Sequence, residues 1–232
     1  RSRPRREESD GPPPLISLHI PKSGGSSFRE FLGRLYGDSM RTMYAFEETA
    51  PRMAHTIELE PGTRCLHGHF QADAFDHLLP GALHITWLRH PVERVISGYY
   101  QFLRNPHTAD ESDFNRSFFE EGLNLMEFAR HENIRSSLFW YLNAVPVEAF
   151  DFIGITEEYD RSMRVYCQLL GVPEPEASGT VNTNPDKPVA SRYPLAPPQR
   201  LELEALYAAE IDLYDRARLR LEAEYQALFG PS

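Results

Sequence analysis

The sequence predicts an α/β fold: a mostly parallel β-sheet flanked by helices. Short apolar runs without polar alternation recur at residues 15–20, 83–88 and 152–155, as expected of strands buried on both faces. Stretches with helical spacing separate them, and strands alternating with helices are the pattern of parallel sheets joined by crossovers. The composition can fill a core, with 41% hydrophobic and 12% aromatic residues in a chain of 232. A chain of that length buries roughly 70% of its unfolded surface as one domain.

Residues 1–14 (RSRPRREESDGPPP) have no apolar residue to bury and end in consecutive prolines. They read as a disordered leader, with a single domain over residues 15–232. Leu15 to Ile20 is the first strand, Pro21 stops it, and Gly24-Gly25 leads into a helix with Phe28, Phe31, Leu32 and Leu35 on one face. Thr63 to His67 reads as a strand, and Asp73 to Leu79 as a helix broken by Pro80-Gly81. Leu83 to Leu88 is the next strand. Pro91 then suits a first helical turn, and the helix continues through Val95, Tyr99 and Phe102. Residues 114–143 predict one or two helices whose aromatic side chains, from Phe118 to Tyr141, belong to the core. Phe152 to Ile155 is a strand, and Glu157 to Leu170 a helix closed by Gly171. Residues 172–198 are proline-rich without helical period, the kind of long loop that is either functional or disordered. One long helix, from about Pro198 to Phe229, ends the chain. No internal repeat is present.

Lys+Arg at 24 against Asp+Glu at 34 gives a net charge of −10, which argues against nucleic acid or an acidic membrane as partner. The charge is uneven. Residues 15–105 are neutral overall and hold seven of the nine histidines, whereas residues 106–232 carry 11 basic and 22 acidic side chains. An anionic ligand therefore belongs to the first half. Only two basic residues are lysines, Lys22 and Lys187. Cys65 and Cys167 are too few for a disulfide scaffold or a structural zinc site; one disulfide and two buried thiols both remain open. No apolar run approaches the ~18–20 residues of a membrane span. The chain opens on Arg1 rather than Met. An upstream anchor would imply the Golgi lumen, and its absence a bacterial cytoplasm, toward which the scarcity of lysine leans.

Pro21-Lys22-Ser23-Gly24-Gly25-Ser26-Ser27 lies between a buried strand and a helix, where it forms an anion cradle. Its glycines let the backbone turn and approach a ligand, the helix presents unpaired N–H groups and its positive dipole end, the serines add hydroxyls, and Lys22 adds a full charge. It is not a Walker A loop, because Lys22 precedes both glycines. A second anion-binding candidate is R-x-P-x-x-R-x-x-S-x-Y, with Arg89 at the carboxyl end of a strand and Ser97 two helical turns later. The planar fork of Arg89 suits phosphate; Arg94 is equally readable as a partner for an acid.

LHIPKSGGSSF and LRHPVERVISGYY resemble, in order and spacing, the 5′-phosphosulfate loop and the 3′-phosphate motif of sulfotransferases that use 3′-phosphoadenosine 5′-phosphosulfate (PAPS). The resemblance is nearest to the carbohydrate branch, with its heparan sulfate 2-O- and 6-O-sulfotransferases and related bacterial enzymes. It implies a P-loop-like fold without NTPase activity, PAPS as cosubstrate, 3′,5′-diphosphoadenosine (PAP) as product, and no metal. It also implies that Lys22, Ser23, Gly24, Gly25, Ser26 and Ser27 hold the 5′-phosphosulfate, and Arg89 and Ser97 the 3′-phosphate. Residues 181–188, with Lys187, correspond to the late loop that closes over the nucleotide.

Sulfuryl transfer to a hydroxyl also needs a proton acceptor, for which histidine is suited near neutral pH. His67-Gly68-His69 follows a predicted strand, so both imidazoles point one way if the chain stays extended. A metal pair and a purely structural pair are the other readings. The HGH resembles the pair that supplies the base in the 2-O-sulfotransferase group, which implies His69 as base, His67 as its partner or alternative, and a sugar hydroxyl as acceptor. His19 is expected to pack beneath the loop, and His90 adjoins Arg89. The rival functions are a P-loop kinase and a non-catalytic nucleotide-binding or scaffold protein on the same fold.

Overall fold

The computed structural model describes residues 11–44, 57–106, 112–175, 193 and 195–230. Among these, five strands form one sheet: β1 (Leu15–Leu18), β2 (Met40–Met43), β3 (Cys65–Gly68), β4 (Leu83–Leu88) and β5 (Phe152–Ile155). Their order is β2-β3-β1-β4-β5, and every neighbouring pair is parallel. The expected parallel α/β architecture is therefore present, and β2, which has no continuous apolar run, adds an edge strand that the pattern did not reveal.

Helices cover the sheet: α1 (Gly25–Tyr36), α2 (Pro91–Arg104), α3 (Asp113–Glu121), α4 (Leu125–Arg130), α5 (Glu132–Arg135), α6 (Ser137–Leu142), α7 (Tyr159–Leu170), α8 (Pro197–Leu206) and α9 (Ala208–Phe229). Ser17, His67, Ile85 and Phe152 share one register row, so they lie on one face. Phe28 of α1 packs on that face against Trp87, with ring centroids 5.2 Å apart, and Tyr166 of α7 packs against Phe28 and Phe152 at 5.2 and 5.3 Å. Trp87 lies flat where a side chain at residue 154 would stand; a Cβ there would come within 2.5 Å of the indole, which explains glycine in the strand. A second apolar cluster joins α2, α3, α4 and α8 through Val92, Ile96, Phe118, Phe128 and Leu203. Of the aromatic side chains from Phe118 to Tyr141, Phe118, Phe128 and Tyr141 are core as expected, Phe119 and Trp140 are half-buried, and Phe139 is exposed.

Several elements differ from the sequence reading. Residues 72–78 form consecutive turns rather than a helix, with i→i−3 bonds from Ala74 N to Gln71 O and from Leu78 N to Phe75 O, both 3.0 Å. Burial of Phe75, edge-on to Phe70 at 4.8 Å, pins the segment without helical pairing. Residues 114–143 divide into four short helices, because caps interrupt them: Ser112 caps α3, Gly122 ends it at φ 65, and Asn124 with Glu127 forms a capping box on α4. The last helix breaks at Tyr207, whose buried hydroxyl donates to Ala129 O at 2.6 Å. Pro12 to Pro14, assigned by composition to the leader, are tied to the domain: Pro12 O accepts from Arg64 and Pro13 O from Tyr36, each at 2.6 Å, and Pro14 O from Leu83 N at 2.9 Å.

Arg94 is buried, donating to Glu210 at 3.0 Å and Ser137 at 3.0 Å, which ties α2 to α9 and α6. Glu93 beside it accepts from Tyr193 N at 2.8 Å and Arg200 at 3.1 Å. Cys65 and Cys167 are both buried free thiols. No helix among the described residues is long and apolar enough to cross a membrane.

Candidate active site

Parallel pairing brings the carboxyl ends of all five strands to one edge. Tyr44 follows β2, His69 follows β3, His19 to Gly24 follow β1, Arg89 follows β4, and Thr156 and Glu157 follow β5. The chain leaves β1 for one side of the sheet and later crosses to β4 on the other. Open α/β sheets bind ligands at such a switch point.

The segment after β1 is built as an anion cradle. Gly24, at φ 82, is the N-cap of α1 and supplies no side-chain cap, so the first-turn N–H groups face the loop. Lys22 also takes a left-handed φ of 68. Ser23 is fully buried, and its Oγ has no hydrogen-bond partner. Gly25 has a different purpose from Gly24: a Cβ there would lie 2.0 Å from Nε2 of His19. One glycine is needed for the turn, the other for the imidazole.

Positive charge is crowded beside this loop. Arg89 Nη1 donates to the Lys22 carbonyl at 3.1 Å, its Nε lies 4.0 Å from Glu157 Oε1, and its guanidinium sits 5.9 Å from the Tyr193 ring centre. Glu157 is held in place by His90 N and the Tyr214 hydroxyl, each at 3.1 Å. The Lys22 ammonium donates to Gln101 of α2, and burial, then Arg89 and Arg104, pull its pKa down to about 8. Ser97 is buried on α2. Lys187 and its loop lie outside the described residues.

Three histidines meet next to the cradle. His67, 1% exposed, shares a register row with Ser17, whose Oγ lies 2.9 Å from its Nδ1, while its Nε2 has no hydrogen-bond partner. Burial first, then His69 and Arg29, lower its pKa to about 3. His19 stacks on His67 at 5.2 Å between ring centres and bonds the Tyr44 hydroxyl through Nδ1 at 3.0 Å. Its pKa falls to about 2, from burial first and then from His67, His69, Arg29 and Lys22. His69 is only half-buried, and its ring stands 4.7 Å from His19, 4.8 Å from Tyr44 and 6.1 Å from Tyr141. His19 and His67 are stacked while His69 is tilted against His19 by 57°, and no group of three or more His, Cys, Asp or Glu among the described residues is placed to hold a metal ion.

The chemistry of this edge is a cationic, N–H-rich cradle beside a half-buried imidazole whose Nε2 is itself buried. A model of the sulfotransferase family matches residues 10–217. The chain belongs to the sulfotransferase family. This sulfotransferase matched no curated protein. Among solved structures it is similar to a sulfotransferase from Alicyclobacillus acidocaldarius, at 17% identity over 95% of this chain and 96% of that one, with a TM-score of 0.45. It is also similar to mouse sulfotransferase SULT7A1 complexed with PAP, at 12% identity over 90% of this chain and 88% of that one, with a TM-score of 0.49.

Tyr44, Arg29, Gln101 and Glu157 escaped the sequence reading. None carries a local motif. Tyr44 follows the unrecognised edge strand, and the other three reach the site from helices or turns whose register only the fold sets.

Proposed function

We propose that this sulfotransferase moves a sulfuryl group from PAPS to a hydroxyl acceptor, with His69 taking the acceptor's proton. The observation that carries this reading is the adjacency of His69 to the loop: its ring is 4.7 Å from His19, and His19 bears on Gly25. The residues suit the donor's anionic end, since the buried Ser23 Oγ lacks a partner and the loop N–H groups and Lys22 favour negative charge. PAPS, when bound, supplies a sulfuryl group already activated by a phosphate leaving group.

The roles of the protein's own groups follow. Lys22 exchanges Gln101 for the ligand and meets the charge that builds on the departing phosphate, in a preorganised setting. Arg89 and Ser97, at the neighbouring strand end and helix, take the 3′-phosphate. His69 is favoured over His67 because its ring is half-exposed while His67 is sealed, although Nε2 of both rings is buried. His67 keeps its orientation through Ser17 and backs the cluster. The likeness of HGH to the 2-O-sulfotransferase pair favours a sugar hydroxyl, and the acidic second half disfavours heavily sulfated chains.

Calorimetry with PAP tests the reading. The wild type should bind, with Lys22→Ala and Arg89→Ala each weakening binding by about tenfold or more, as for lost charge-assisted bonds. Lack of PAP binding, magnesium-dependent ATP binding in its place, or indifference to both substitutions overturns it. Labelled PAPS offered to a panel of glycans, alcohols and tyrosine peptides then identifies the acceptor.

A further inference from the structure

Arg89 is held by an aromatic ring as well as by a hydrogen bond. Its guanidinium carbon lies 5.9 Å from the centre of the Tyr193 ring. That ring stacks on Tyr100 of α2, with centroids 5.5 Å apart and planes 26° apart, and Tyr193 is buried. One ion pair grips its backbone at both polar groups. Tyr193 N donates to Glu93 Oε2 at 2.8 Å, and Tyr193 O accepts from Arg200 Nη2 at 2.9 Å. Arg200 Nη2 also donates to Glu93 Oε1 at 3.1 Å. Glu93 is 2% exposed, so a buried carboxylate on α2 and an arginine on α8 together fix where this ring stands. A guanidinium has five N–H donors. Among the described residues Arg89 gives one hydrogen bond, to the Lys22 carbonyl, and makes only a 4.0 Å approach to Glu157. An acid in full contact would take donors and cancel charge, whereas the face of a tyrosine attracts the cation and does neither.

We infer that Tyr193 is a positioning residue for the nucleotide: its clamped ring presets the Arg89 guanidinium for the 3′-phosphate and leaves the N–H donors to bind it. The inference rests on the PAPS reading and deepens it. Discrimination between nucleotides with and without a 3′-phosphate then depends on a residue that need not touch the nucleotide. An arginine ordered before its ligand arrives loses less rotamer freedom on binding. The Glu93–Arg200 pair gains a purpose as well. It sits among the helices, yet it sets the ring against which the binding arginine rests.

Calorimetry with two nucleotides tests it: PAP, and 5′-AMP, which lacks the 3′-phosphate. Tyr193→Leu should weaken PAP binding by about threefold to thirtyfold, the range of a cation–π contact, and leave 5′-AMP binding unchanged. Tyr193→Phe, which keeps the ring, should bind PAP like the wild type. In an Arg89→Ala background Tyr193→Leu should cost no further PAP affinity, as for two residues acting through one contact. Pentafluorophenylalanine in place of Tyr193 keeps an aromatic shape but reverses the ring quadrupole. It should weaken PAP as Tyr193→Leu does, and it decides the matter if Tyr193→Leu does not fold. Equal losses for PAP and 5′-AMP would make Tyr193 a support for the base or the fold and overturn the inference. Wild-type PAP affinity in the altered proteins, or a loss that adds to that of Arg89→Ala, overturns it too. Each of these results leaves the PAPS reading intact, whereas failure of the wild type to bind PAP overturns the reading and the inference together.

Discussion

Arg89 and Arg94 stand five residues apart in one motif and belong to opposite kinds of environment. Arg94 is buried against Glu210 and Ser137, while Glu93 is met by Arg200 and Tyr193 N. The helical layer thus neutralises the charges it buries. At the carboxyl edge of the sheet, Arg89 lies against the Lys22 carbonyl with only a long 4.0 Å approach to Glu157, and Lys22 feels two arginines. Ser23 Oγ and His67 Nε2 are buried there without partners. Like charges crowded around under-satisfied polar atoms destabilise an empty protein and favour an anionic ligand; paired charges do the reverse. On the proposed reading, the first half of the chain receives the ligand, and the second holds the helices that frame it and adds Glu157 beside Arg89.

The comparison can be broken at four points. The largest effect is expected from His69→Ala: kcat falling about 10²- to 10⁴-fold, as for loss of a general base, with PAP affinity and melting temperature near wild type. Retained turnover would move the base elsewhere. Glu210→Ala, on the scaffold side, should cost about 3–5 kcal/mol in urea unfolding by stranding Arg94, with little change in PAP affinity of the folded protein. Replacing both members by apolar residues should recover most of that stability.

Gly25→Ala should cost about 1–3 kcal/mol through its clash with His19. In a His19→Ala background the same change should cost almost nothing, and an unchanged penalty there would detach the two residues. The smallest effect is in pH dependence. Lys22 titrates near 8 in the folded protein against 10.5 in the unfolded chain, so the unfolded state binds more protons in that window. The contribution of Lys22 to stability therefore rises from pH 8 to about 10.5, whereas PAP binding, which favours the charged lysine, weakens by up to about tenfold per pH unit above 8. Calorimetry in buffers of different ionisation heat should detect proton uptake on binding, absent in Lys22→Ala.

What could be read in advance was whatever depends on neighbours in sequence. The strand, loop and helix at residues 15–36 and the Arg89 motif are local arrangements in which apolar runs, glycines and a helix start declare themselves. The failures share a cause. The turns at 72–78 have helical composition but are pinned by Phe75, and the break at Tyr207 depends on Ala129 far back in the chain. Tyr44 follows Met40-Arg41-Thr42-Met43, an edge strand too short and too polar to show a period. Gly24 and Gly25 look equivalent in sequence; only the position of His19 separates the residue needed for its φ from the residue needed for its missing Cβ.

Lys22 adopts a φ of 68, a conformation natural to glycine and strained for a lysine by about 1–3 kcal/mol. Selection for thermal resistance alone would therefore favour glycine at position 22, and on the proposed reading the resulting protein would be sturdier and a poorer enzyme. The lysine stands here against the preference of its own backbone. That makes residue 22 a place where evolutionary pressure for durability and pressure for turnover can be measured against each other in a single codon.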